Sequence, residues 1–71
     1  MGVLIMNKFY KNQKIKRINN KDNSFPQNGL EGIIMNVFIH TPELNNEIWY
    51  LVKFKECDFP MSLKEEDLEL I

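Results

Sequence analysis

Residues 47–54 read EIWYLVKF, a run rich in β-branched and aromatic side chains that follows a string of polar turn formers, and that combination spells a strand. Strand side chains alternate between two faces, so Ile48, Tyr50, Val52 and Phe54 share one, and Trp49, Leu51 and Lys53 share the other. Trp49 and Tyr50 are neighbours, and the chain therefore sends one aromatic ring each way. With 71 residues there is room for a single domain and one small core, and a chain of this size buries only about 60% of its unfolded surface. One ring belongs in that core. The other needs a different cover.

Working outward, Ile33 to Ile39 (IIMNVFI) is a second strand of the same composition, and Thr41 to Glu47 (TPELNNE) joins the two as a hairpin loop. Lys14 to Asn19 (KIKRIN) is a weaker strand with Ile15 and Ile18 on opposite faces, the pattern of a bulged or edge strand. Asn19 to Asn28 (NNKDNSFPQN) is a polar loop closed by Asn28-Gly29 turn chemistry. After the hairpin, Phe59, Met61 and Leu63 alternate as a fourth strand. Lys64 to Asp67 (KEED) forms one helical turn, with Ser62 and Glu65 in capping-box spacing, and Leu68 to Ile71 (LELI) closes as a fifth strand. The expected fold is all-β, a five-stranded antiparallel barrel over residues 14–71 with a single helical turn before the last strand. An apolar and basic arm, residues 1–13, precedes it. Barrel closure would hide the sheet edges.

The segments GLEGIIMNV (with Gly29, Gly32, Ile34 and Val37), YLVKF (Tyr50, Val52, Phe54) and LKEEDLELI (Leu63, Asp67, Leu68) resemble the strand pattern of SH3-like barrels of the KOW and Tudor type. The chain is also similar to a group of small bacterial proteins with that fold. The resemblance covers residues 14–71 and assigns Tyr50, Val52 and Phe54 to the core, which leaves Trp49 and Leu51 outside. Gln13 stands where the KOW pattern carries Gly, and the 19–28 loop is longer than the usual turn, so ribosomal or elongation-factor roles are not implied. The fold itself serves RNA, DNA, peptide and protein ligands alike.

Composition excludes several chemistries. The lone Cys57 forms no internal disulfide, and no Cys/His cluster offers a zinc site, which points to a reducing cytoplasm. MGVLIM at residues 1–6 is too short for a membrane span or a signal peptide, and Met6 stands where a myristoylation motif on Gly2 needs Ser or Thr. Gly29 and Gly32 precede a strand, not a helix, and so form no phosphate loop; they read instead as a turn and a bend. His40 has no second ligand or nucleophile beside it. Cys57 sits between the acids Glu56 and Asp58, and a nucleophilic role is not expected of it. The run Glu65, Glu66, Asp67 and Glu69 is contiguous and reads as a solvated cap, not as carboxylates facing each other across a cleft. No enzymatic activity, cofactor or metal is expected. The abundance of Asn, Lys and Ile suits an AT-rich bacterial genome or mobile element.

Two sets of residues remain as candidate sites. The first is a protein-binding face with Trp49, Leu51 and Lys53, flanked by Phe25 and by the loops at residues 19–28 and 41–47. It would take a protein partner or a second copy of the chain. Trp49 also has two local covers available, the apolar start (Val3, Leu4, Ile5) and Phe25, and an aromatic cage for a cation is the third reading. The second set is basic: residues 1–21 hold Lys8, Lys11, Lys14, Lys16, Arg17 and Lys21 and no acid, within a chain of net charge −1. Gathered on one face with Phe9 and Tyr10, they would bind single-stranded nucleic acid. If Lys14, Lys16 and Arg17 instead sit beside Glu65, Glu66 and Glu69, the positive field is neutralised, and a pI near 5.7 favours that outcome.

Overall fold

The computed structural model describes residues 7–40 and 47–71. Five strands run in chain order as β1 (Lys14–Arg17), β2 (Glu31–His40), β3 (Glu47–Phe54), β4 (Met61–Lys64) and β5 (Leu68–Leu70), with a 3-10 turn over Glu65–Asp67 leading directly into β5. All pairings are antiparallel, in the order β4-β3-β2-β1-β5. The all-β, five-stranded expectation with one helical turn before the last strand is met. The ladder stays open between β4 and β5, where the 3-10 turn carries the chain across the gap.

Three details differ from the sequence reading. β1 is an inner strand, because it pairs with β2 on one side and β5 on the other, and Ile18 lies beyond its end. Phe59 lies outside β4 and is 76% exposed. Ser62 caps nothing: the turn begins at Lys64 without a side-chain cap. The Glu65 carboxylate is occupied elsewhere, accepting from the Tyr50 hydroxyl and from the Lys8 backbone N–H.

The core is the inward face of the sheet. Ile15, Ile34, Tyr50, Val52 and Phe54 are fully buried, joined by Phe9, Leu63 and Leu68. Each such side chain contributes about 1.5–3 kcal/mol relative to exposure. The described part of the N-terminal arm belongs to this globule: Phe9 packs edge-to-face on Tyr50 at 5.3 Å, and Asn12 N–H donates to the Ile34 carbonyl. Gly32 lies against β3, where an added Cβ would sit 2.7 Å from Val52 Cγ1, so the absent side chain makes room for the core. Gly29 has φ +92°, the turn conformation its place after Asn28 called for.

One irregularity in β2 sets the outer face. Ile34 pairs with Val52 and Asn36 with Leu51, so Met35 and Asn36 together oppose a single residue. This bulge lets Ile34 and Val37, three positions apart, both turn inward, while Ile33, Met35, Asn36 and Phe38 are exposed. The Asn36 side chain accepts from the Val37 N–H at the bulge.

Candidate protein-binding face

The alternation in β3 holds: Tyr50, Val52 and Phe54 are buried, and Trp49, Leu51 and Lys53 lie on the outer face, half-buried. Trp49 is flanked across the ladders by Phe38 of β2 and Lys64 of β4. Lys64 Nζ stands 5.3 Å from the centre of the indole ring, and the indole N–H donates to Glu47 Oε2 at 3.1 Å. A cation over the ring and an acceptor at its polar edge form a local cover that the sequence reading did not include. Lys64 also takes up a cation position that an aromatic cage would offer to a ligand.

Phe25 does not join this face. Its ring meets Phe54 edge-to-face at 5.8 Å and remains 37% exposed. The 19–28 loop is held by its own asparagines: Asn20 N–H donates to Asn28 Oδ1, Asn28 Nδ2 returns to the Asn20 carbonyl, and Asn20 Nδ2 reaches the carbonyls of Ser24 and Pro26. Val3, Leu4 and Ile5, proposed as a cover for Trp49, and residues 41–46 of the hairpin loop lie outside the described residues, as does the side chain of His40.

The face extends beyond the residues the sequence singled out. Along β2, Ile33, Met35 and Phe38 are 41%, 43% and 46% exposed. With Leu51 and Trp49 they make an apolar strip across two strands. Alternation alone would have placed Met35 and Phe38 on opposite faces, and only the bulge brings them together. At the far end of the strip, Ile33 lies between Lys14 and Lys53 across the ladders. Lys53 Nζ also donates to the carbonyls of Phe54 and Cys57, which closes the turn after β3.

The six N-terminal basic residues do not share one surface. Lys16 faces Glu69 at 3.9 Å, the β1–β5 adjacency having brought them together as expected, and Glu31 flanks it from β2. Arg17 donates through Nε to the Ile18 carbonyl. Lys8 lines a hollow of about 300 Å³ with Glu47, Ile48, Lys64, Glu65 and Glu66. Lys11 and Lys21 are exposed in separate turns, and Lys14 points onto the outer face. Phe9, one of the two rings expected to stack on bases, is buried, whereas Tyr10 is exposed.

At the hollow beside Lys8, the Tyr50 hydroxyl donates to Glu65 Oε2 at 2.6 Å and accepts from the Phe9 N–H at 3.2 Å. Burial, and next the hydrogen bond to Glu65, push the Tyr50 hydroxyl well above the ordinary tyrosine range. It is a fixed, neutral strut. Among the described residues no group of three or more His, Cys, Asp or Glu is gathered that could hold a metal ion, and no helix is long and apolar enough to cross a membrane. Compared with known proteins, the chain matches no family model, no curated protein and no solved structure.

Proposed function

We propose that this chain is a small, non-enzymatic protein-binding module, an adaptor or inhibitor that docks a partner on the outer face of β2 and β3. The observation that carries the reading is the strip Ile33, Met35, Phe38, Leu51 and Trp49, five apolar side chains aligned on one face with three of them more than 40% exposed. Contiguous apolar surface of this kind marks interaction sites, and Trp is the residue most enriched at binding hot spots. The strand order, with a single 3-10 turn before β5, supports the SH3-like resemblance, and the free Cys57 suits a cytoplasmic setting.

Nucleic-acid binding through Lys8, Lys11, Lys14, Lys16, Arg17 and Lys21 has less support, because those side chains are dispersed and Lys16 faces an acid. The test is quantitative affinity capture with the wild-type chain and with Met35→Thr/Phe38→Thr, a pair that keeps strand propensity and removes apolar surface. The variant should melt within a few degrees of wild type and lose the proteins that the wild type retains. Equal retention by both chains overturns the reading.

A further inference from the structure

The lysine end of the strip is shaped as well as charged. Lys14, Gly32, Ile33, Lys53, Lys55 and Glu31 line a shallow groove of about 350 Å³ that shares Ile33 with the apolar strip. Three lysines and one glutamate line it, the Lys53 ammonium being held by the carbonyls of Phe54 and Cys57, and Glu31 is flanked across the ladder by Lys16. From Lys53 to Trp49 along β3 is four residues, about 13 Å at strand spacing, the reach of four or five residues of extended chain.

We infer that the occupant of this face is an acidic, extended segment of a partner protein, with carboxylates at Lys14 and Lys55 and apolar side chains on Ile33, Met35 and Phe38. The inference rests on the protein-binding reading above and adds the chemistry of the partner. Each other occupant fits less well. A second copy of the chain brings lysines against lysines where the two strips run parallel, and against the Trp49 end, where Lys64 stands, where they run antiparallel. A wholly apolar segment covers Lys14 and Lys55 without bringing them an acceptor, which is costly. A nucleic acid would meet Ile33 and Met35, aliphatic where base stacking needs rings, at the point where the lysines are densest.

The experiment is a titration of the full-length ¹⁵N-labelled chain, followed by amide chemical shifts, with three probes. These are an extended peptide alternating Val and Glu, its Val and Lys counterpart, and single-stranded oligothymidylate. The inference expects the Val/Glu peptide to shift Gly32, Ile33, Lys53 and Lys55 and to bind at least about fivefold more tightly than the Val/Lys peptide. Lys14→Glu/Lys55→Glu, which changes two exposed side chains, should remove that preference without moving the core amides of Ile34 and Val52. Equal binding of both peptides along Ile33 to Phe38 overturns the acidic specificity and leaves the docking face standing. No shift on the face with either peptide at millimolar concentration overturns both readings. Salt-sensitive shifts of the face with oligothymidylate alone overturn them in favour of a phosphate ligand. Concentration-dependent broadening of the same amides without any probe places a second copy there and overturns the inference.

Discussion

Replacing Tyr50 by Phe removes one oxygen atom from the most connected side chain of the core, and the consequence can be worked from its two partners. The hydroxyl donates to the Glu65 carboxylate at 2.6 Å and accepts from the Phe9 N–H at 3.2 Å. A hydrogen bond to a charged group contributes about 1.5–3 kcal/mol, and the half-buried position of Glu65 puts this one at the lower end. The Phe9 amide is buried and loses its acceptor, a cost of about 1–3 kcal/mol. Tyr50→Phe should therefore destabilise by about 2.5–4.5 kcal/mol, a large share of the total for a domain this small. Glu65→Gln keeps an acceptor for the hydroxyl and for the Lys8 N–H, and should cost about 1 kcal/mol or less. Equilibrium urea unfolding at constant slope measures both. Amide exchange adds a local readout: Tyr50→Phe should selectively speed exchange at Phe9 by releasing the arm from the sheet. A loss below about 1 kcal/mol, or unchanged Phe9 protection, would refute the strut described for Tyr50.

Two further outcomes follow from the same coordinates. Gly32→Ala drives a methyl to 2.7 Å from Val52 Cγ1 and should cost about 1–3 kcal/mol in urea unfolding; adding Val52→Ala should recover part of that loss, and strict additivity in the double-mutant cycle would contradict the close packing. The Tyr50 hydroxyl titrates higher in the folded chain than its ordinary 10.0. The unfolded state therefore gives up this proton first, so the stability it contributes is complete below about pH 10 and is lost as pH rises toward the folded-state value. Urea midpoints followed into alkali should decline less steeply in Tyr50→Phe, and parallel curves would contradict the shift.

Much of the fold was legible because strand period is a local property. EIWYLVKF announced its two faces, and burial followed that alternation from Trp49 to Phe54. Gly29 after Asn28 announced a turn for the same reason, since positive φ is a property of one residue. Where sequence reading erred, competing partners decided. Glu65 has the spacing of a capping box with Ser62, but a buried tyrosine hydroxyl and a backbone amide hold it instead. Ile15 and Ile18 suggested an edge strand because the end of β1 at Arg17 is set by pairing with Leu68, which no local signal reports.

The candidate site was legible only in part. Trp49, Leu51 and Lys53 were found because alternation exposes them. Met35 and Phe38 were not, since an even count along β2 puts them on opposite faces, and Phe25 was misplaced because its contact with Phe54 joins distant parts of the chain. The basic N-terminal segment looked like one feature in sequence and proved to be several, because neighbouring side chains on a strand point apart and turns scatter the rest.

By itself, then, the sequence determined the strands, the turn glycine and the inward set in β3, all fixed by the chemistry of adjacent residues. Tertiary structure decided the bulge at Met35, the cover of Trp49 by Lys64 and Glu47, and the meeting of Lys14, Lys53 and Lys55 around Ile33. Those depend on the register between strands, and a register is a property of two segments at once, which neither segment carries alone.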